Sequence, residues 1–160
     1  MKRNFSTPRL LLSALILAGG LVVSLGARAH GDAAPQPVDT GSLPKLGNDW
    51  KEANPFESGP DAAEALRVGR QGYTANCARC HGLEAVSGGI APDLRKVNAD
   101  CGPPDKRDKA CIADMDQYFA VTVRKGRTRD GRVYMPGFEE IMSQEAVWAI
   151  RSYVNSRKPD

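Results

Sequence analysis

The sequence predicts an all-α domain with long loops, preceded by an extended arm. Three segments carry apolar side chains at steps of three and four residues, which is the spacing of one helix face. They lie at about residues 62–76, 109–125 and 143–157. No segment shows the strict alternation of apolar and polar residues that indicates a strand. With 160 residues, the chain has room for one domain plus extensions.

The limits of the three helices follow from local residue types. Asp61 is the expected N-cap of the first helix and Ser143 that of the last, while Gly126 is the expected stop of the middle helix. The predicted inner faces are, in order along the chain, Leu66, Gly69, Tyr73 and Cys77; Ile112, Met115, Phe119 and Val123; and Ala146, Val147, Ile150, Tyr153 and Val154. Residues 82–98 and 126–142 are expected to be loops.

The first 29 residues have the anatomy of a secretory signal peptide. Lys2 and Arg3 open a basic region, an apolar stretch covers residues 10–25, and a small-residue cleavage pattern ends at Ala29. A membrane anchor is the alternative, but serine and glycine interrupt the apolar stretch. We therefore expect cleavage after Ala29, export to the periplasm, and no membrane span in the processed chain.

Residues 30–60 are expected to form an extended arm. They contain five prolines and four glycines, which prevent a sustained helix or central strand. A disordered tail is one interpretation of this composition. Trp50 and Phe56 favour a second one, in which the arm packs against the domain from about Leu43.

Removal of the signal peptide changes the charge of the chain. The processed chain has 18 basic and 19 acidic residues, a net charge of −1. Residues 30–64 carry a net −5, and residues 65–160 carry a net +4. The basic pI of the full chain is therefore no argument for a nucleic-acid partner.

The chemistry of the chain is carried by the string Cys77-Ala78-Arg79-Cys80-His81. Two cysteines at this spacing can form thioethers with the two vinyl groups of one haem, and His81 then lies beneath the iron. A thioredoxin-like motif would need a preceding strand, and a zinc site would need a second close pair of ligands. We therefore expect one covalently bound haem c.

An iron that only carries electrons needs a sixth ligand, and methionine is the natural donor. The only other histidine, His30, lies at the start of the flexible arm. Met115 lies among apolar neighbours on a predicted helix, and Met142 directly precedes one, so core packing explains both better. Met135 lies in a loop and is followed by the rigid Pro136, which favours it as the ligand.

Two further sets of residues are expected to support the site. A ligating histidine usually donates its other ring N–H to a carbonyl or carboxylate, and the Pro92 carbonyl is a candidate that spacing alone does not decide. Cys101 and Cys111 are free to pair in an oxidising compartment. We expect a structural crosslink, with a redox switch as the alternative.

The chain resembles the class I cytochromes c, and more narrowly the soluble cytochrome c-550 of periplasmic alcohol oxidation, the PedF type. The resemblance covers essentially the whole processed chain. The residues that carry it lie at 30–32, 35–40, 76–85, 87–96, 133–136 and 143–150.

This resemblance implies the class I cytochrome c fold, in which helices and loops surround one haem and the first and last helices cross. Gly69, Tyr73, Trp148 and Tyr153 match the positions at that crossing. The resemblance also implies Pro92 as the partner of His81, Met135 as the distal ligand, and a cysteine pair like Cys101 and Cys111.

The resemblance further implies an electron carrier and not an enzyme. Its expected donor is a pyrroloquinoline quinone (PQQ)-dependent alcohol dehydrogenase, and its acceptor a downstream cytochrome or terminal oxidase. The alternatives are an enzyme, such as a small haem peroxidase or a subunit of a larger oxidase, and a gas or redox sensor. A peroxidase would need a distal histidine, and a sensor usually has an output domain; neither is evident. Metal binding at His30 is a minor alternative. A monomer is expected, and the basic residues Arg124, Lys125, Arg127, Arg129 and Arg132 form either a docking surface or a solvated loop.

Overall fold

The computed structural model describes residues 34–158, which form an all-α fold with one small β-hairpin. The α-helices are α1 (Ala62–Asn76), α2 (Ala78–His81), α3 (Lys109–Lys125) and α4 (Gln144–Ser156). Short 3₁₀ helices cover Leu83–Ala85, Leu94–Lys96 and Ala99–Cys101. The predicted all-α fold and the three long helices are confirmed.

The described residues contain no helix that is both long and apolar enough to cross a membrane. The predicted signal peptide over residues 1–29 and the suggested metal site at His30 lie outside the described residues.

Helices α1 and α4 cross at Gly69, as expected. A Cβ atom added at Gly69 would lie 1.9 Å from the carbonyl oxygen of Ala149, so the two helix backbones meet directly at this point. Beside it, the rings of Tyr73 and Tyr153 are buried with their centroids 5.0 Å apart. The absence of a side chain at residue 69 therefore sets how closely the helices approach.

The arm docks on the helical domain earlier than predicted. Packing was expected from about Leu43, but the backbone N–H of Gln36 already donates to the side-chain oxygen of Asn76 over 2.7 Å. Further along, the N–H of Leu46 donates to the carboxylate of Glu145 over 2.8 Å. These bonds join arm backbone to helix side chains, a pairing that local sequence patterns do not reveal.

Helix α4 is buried on almost every side, whereas the sequence predicted one inner face. All residues from 144 to 151 are buried. The Gln144 side chain explains the outer face: its oxygen accepts from the N–H of Lys51 over 2.7 Å, and its amide nitrogen donates to the carbonyls of Gly47 and Asp49. The arm therefore covers the side of α4 that faces away from α1.

A buried ion pair joins α3 to α4. The Nε of Arg151 donates to Asp116 over 2.7 Å, and Nη2 donates to the side-chain oxygen of Asn98 over 2.7 Å. Asp116 also accepts from the N–H of Asn54 in the arm over 2.8 Å. The predicted apolar stripe of α3 is thus wrong at its start, because Asp116 is buried while Met115 is only partly buried.

The helix caps agree with the predictions in position, and only the cap at Asp61 differs in chemistry. Asp61 occupies the N-cap position of α1, but its side chain makes no capping hydrogen bond. Ser143 caps α4 by accepting from the N–H of Ala146 over 3.3 Å. Gly126 ends α3 with a φ of 71°, a conformation that favours glycine.

The expected absence of strands is wrong for the segment after α3. Strand β1 (Arg127–Arg129) pairs antiparallel with β2 (Arg132–Met135). The turn between them is Asp130-Gly131, with φ values of 50° and 72°. An Asp-Gly pair favours a two-residue hairpin turn, so this local signal was present and overlooked.

Replacing Gly69 with alanine should destabilise the fold, because the new methyl group would clash with the Ala149 carbonyl. We expect the free energy of unfolding to fall by about 1–3 kcal/mol, measured by urea denaturation of the haem-loaded protein. Gly88→Ala is the control, since a Cβ there meets nothing within 4 Å. Equal losses in the two variants would contradict the close crossing.

Candidate functional site

The three motif residues lie within one turn of helix. Cys77 ends α1, with its N–H donating to the Tyr73 carbonyl over 2.8 Å, and α2 follows directly. The carbonyl of Cys77 then accepts from the N–H groups of Cys80, over 3.1 Å, and His81, over 2.9 Å. Both motif cysteines are free thiols. This turn places two sulfur atoms and one imidazole on a short, hydrogen-bonded segment.

The surroundings of Cys77 disfavour a thiolate. Burial, and secondarily the neighbouring Cys80, raises the pKa of Cys77 to about 12. Redox-active cysteines instead have a lowered pKa, because they react as thiolates. The environment of Cys77 therefore does not favour the thioredoxin-like alternative.

The chain turns sharply after His81, and Gly82 is required for this turn. Its φ is 79°, and a Cβ there would lie 1.8 Å from the carbonyl oxygen of Val86. The hydroxyl of Tyr73 donates to the Gly82 carbonyl over 2.8 Å. Burial raises the pKa of Tyr73, so the hydroxyl keeps the proton that it donates. Helix α1 thus holds both ends of the motif segment.

Glu84 anchors the next turn to the rest of the domain. Its carboxylate forms ion pairs with Arg157, after α4, and with Arg70 of α1, and it interacts with the hydroxyl of Tyr153. These groups lower the pKa of Glu84, Arg157 most strongly. The backbone here has positive φ at Glu84 and Ala85, 56° and 64°, which are uncommon values outside glycine.

The imidazole of His81 is oriented by Pro92. Its Nδ1 lies 2.9 Å from the Pro92 carbonyl oxygen. A carbonyl only accepts hydrogen bonds, so Nδ1 carries a proton, and in the neutral ring the lone pair then lies on Nε2. That is the tautomer a metal ligand needs, and the Pro92 interaction is the one that the resemblance implied.

Met135 is the last residue of strand β2, whereas the sequence predicted that it lies in a loop. Its side chain is partly buried against the hydrophobic core. Its segment is held to the end of α3. A Cβ added at Gly126 would lie 2.4 Å from the Met135 carbonyl oxygen, and the N–H of Phe138 donates to the Val123 carbonyl over 3.0 Å. The C-terminus of α3 therefore positions the backbone on which Met135 lies.

Glu139 strengthens the same connection, and no local sequence pattern indicated this role. Its carboxylate forms ion pairs with Arg124 and Lys125 at the end of α3. These two cations lower the pKa of Glu139, Lys125 first. The guanidinium of Arg124 also lies 4.2 Å from the ring centroid of Trp50. One carboxylate thus pairs with two of the five basic residues of this region and lowers the net charge of the region by one.

The remaining predicted residues are placed as follows. The sulfur atoms of Cys101 and Cys111 are bonded to each other, which joins a 3₁₀ helix to the first turn of α3. Met142 is buried in the core, and Met115 is partly buried on α3.

The residues present fit a covalently bound haem. The donor set contains two free thiols, an imidazole with a free Nε2 and a methionine sulfur. Apolar side chains near the motif and near Met135 are exposed: Leu83 by 73%, Ile90 by 80%, Val133 by 70% and Tyr134 by 65%. A porphyrin is a large apolar ring, and apolar side chains that are exposed beside the donor residues in the sequence could be covered by it.

Comparison with known proteins agrees with this chemistry. Residues 64–154 match the family described as cytochrome c oxidase, cbb3-type, subunit III. The chain is 45% identical over 148 residues to a cytochrome c550 of Pseudomonas aeruginosa, covering 91% of this chain and 93% of that protein.

Two enzymes of Pseudomonas putida also show similarity. The chain is 33% identical over 141 residues to the quinohemoprotein alcohol dehydrogenase ADH-IIG, covering 88% of this chain and 15% of that enzyme. It is 31% identical over 97 residues to the quinohemoprotein alcohol dehydrogenase ADH IIB, covering 61% of this chain and 12% of that enzyme. No solved structure shows a significant match.

Replacing Glu139 with glutamine should destabilise the domain in a pH-dependent way. The lowered pKa means that the ion pairs stabilise the fold above the ordinary glutamate pKa of about 4.3, and that this contribution is lost as pH falls through the lower folded value. Urea denaturation from about pH 7 to about pH 3 should show a wild-type advantage that disappears at the acid end.

The matched control is Glu140→Gln, because Glu140 makes no ion pair with another residue in the described part of the chain. A stability difference between wild type and Glu139→Gln that persists unchanged into acid would contradict the ion-pair explanation.

Proposed function

Because the chain belongs to the c-type cytochromes, we propose that it is a soluble periplasmic carrier of single electrons that holds one haem. The relatives show that the chain is an electron-carrying cytochrome with covalently bound haem c and not an enzyme. The observation that supports the site is the helical turn with Cys77, Cys80 and the Pro92-oriented His81.

In this proposal each site residue has a separate task. Cys77 and Cys80 hold the haem covalently, His81 ligates the iron through Nε2, and Met135 supplies the sixth ligand. When bound, the haem supplies a one-electron couple between Fe(II) and Fe(III). A thioether ligand raises the reduction potential of such a couple. If His81 and Met135 both ligate the iron, no coordination position would be left for a substrate.

The export of the protein is part of the proposal. Residues 1–29 would act as a cleaved signal peptide, residues 30–60 would form the arm, and residues 61–160 would form the monohaem domain. A periplasmic location agrees with the bonded Cys101 and Cys111, because disulfides persist in oxidising compartments.

The proposed electron donor is a PQQ-dependent alcohol dehydrogenase. Support comes from the two quinohemoprotein alcohol dehydrogenases, since a segment of each resembles this chain. A domain like this one therefore occurs within the same polypeptide as an alcohol dehydrogenase. We propose that this chain performs that electron-accepting role as a separate molecule, and passes the electron to a downstream cytochrome or terminal oxidase.

The proposed docking surface is the hairpin that precedes Met135. Arg127, Arg129 and Arg132 are exposed there, whereas Arg124 and Lys125 both form ion pairs with Glu139. The guanidinium of Arg127 lies 5.0 Å from the ring centroid of Tyr118, and that of Arg129 lies 5.6 Å from that of Tyr134. These stacked cations would attract an acidic partner surface toward the Met135 side.

The ligand assignment predicts that Met135→Leu lowers the reduction potential and opens the sixth position. Leucine keeps the volume and removes the sulfur. Redox titration should show the lower potential, and the ferrous variant should bind carbon monoxide. Met115→Leu and Met142→Leu are the controls and should leave both properties unchanged. If one control variant instead shows the lower potential and binds carbon monoxide, the methionine replaced in that variant is the ligand.

The donor assignment is tested with oxidised, haem-loaded protein, a PQQ-dependent alcohol dehydrogenase and its alcohol. We expect rapid appearance of the sharp reduced c-type spectrum. Charge reversal at Arg127 and Arg129 should slow this reduction about tenfold at low salt, and added salt should remove the difference. Lys109→Glu, at the other end of α3, should have little effect.

Reduction by dithionite but not by the dehydrogenase would leave the protein a cytochrome and exclude this donor. If the rate of reduction by the dehydrogenase changes neither with ionic strength nor with the two charge reversals, the hairpin is excluded as the docking surface.

A further inference from the structure

We propose that Ser87 is a positioning residue for the haem, because its hydroxyl holds the loop whose Pro92 carbonyl orients His81. This inference rests on the proposed function, in which His81 ligates the iron. Ser87 acts on His81 through the backbone of Ala91 and Pro92.

The Ser87 side chain is hydrogen-bonded in two directions within one short loop. Its hydroxyl donates to the carbonyl oxygen of Ala91 over 2.5 Å and accepts from the N–H of Gly89 over 3.0 Å. A Cβ added at Gly88 would meet nothing within 4 Å, so the polypeptide chain at Gly88 does not pack against the domain. The two hydrogen bonds of the hydroxyl therefore tie the start of this loop, at Ser87, to its end, at Ala91.

The Ala91 carbonyl belongs to the peptide that precedes the Pro92 ring. The ring restricts φ of Pro92 to about −65°, so a held peptide leaves only ψ to direct the Pro92 carbonyl. On the other side, the Asp93 carboxylate accepts from the N–H of Arg95 over 3.0 Å and begins the next 3₁₀ helix. The carbonyl that faces His81 thus lies between two anchored points.

The position of the Pro92 carbonyl should affect how strongly His81 donates electrons to the iron. A well-aligned hydrogen bond from Nδ1 to a carbonyl raises the basicity of the ligand and thereby favours ferric over ferrous iron. Without the Ser87 hydroxyl, the loop would sample more conformations and the bond would weaken on average. The reduction potential should then rise, and the Nδ1 proton should exchange faster with water.

The experiment compares Ser87→Ala with Ser87→Thr, which keeps a hydroxyl, in the haem-loaded full chain. The control is Thr74→Ala, because the Thr74 hydroxyl also donates to a carbonyl four residues away, that of Arg70, over 2.8 Å. Reduction potential is measured by redox titration, and exchange of the His81 Nδ1 proton by NMR of the ferrous protein.

We expect Ser87→Ala to have a higher potential and about tenfold faster Nδ1 proton exchange, as for the loss of one hydrogen bond. Ser87→Thr should restore both values toward wild type, and Thr74→Ala should change neither. If Ser87→Ala matches Thr74→Ala in both measurements, the inference is overturned while haem ligation by His81 stands.

Two further outcomes are decisive. If Ser87→Ala yields no haem-loaded protein, the wild-type Ser87 hydroxyl proton is observed directly: slow exchange supports the inference, and averaging with water overturns it. A wild-type protein without covalently attached haem would overturn the proposed function itself, and this inference with it.

Discussion

The direct contact between α1 and α4 at Gly69 is the constraint on which the rest of the structure depends. No side chain fits between residue 69 and the Ala149 carbonyl, so the two helices cross with their backbones touching. Helix α1 ends at Cys77, and its Tyr73 reaches the carbonyl of Gly82 beyond the motif. The position of the haem-attachment turn therefore follows from how closely α1 approaches α4.

Helix α4 in turn organises most of the remaining chain. Its first turn receives the arm through Gln144 and Glu145, its centre pairs with α3 through Arg151 and Asp116, and Arg157 beyond its end reaches Glu84. The Arg151–Asp116 pair is fully buried, and burial lowers the pKa of Arg151 while Asp116 opposes that shift. Such a pair is costly to break, because removing one partner leaves a buried charge.

The two sides of the proposed haem site are held by different elements. His81 depends on the loop of Ser87 and Pro92, whereas the Met135 backbone depends on the end of α3 and on Glu139. The candidate ligands themselves were predictable, because their residue types and local spacing carry the chemistry. The residues that hold them were not, since Ser87 and Glu139 are ordinary loop residues until their partners are known.

By itself, the sequence determined the three long helices and the attachment motif. These features depend on periodicity or on spacing within one turn, both of which are local. Only the tertiary structure decided that Asp116 is buried, that the arm docks from Gln36 onward, and that α4 is covered on nearly all sides. Those outcomes come from partners 35 or more residues apart in the chain, whose pairing no local pattern encodes.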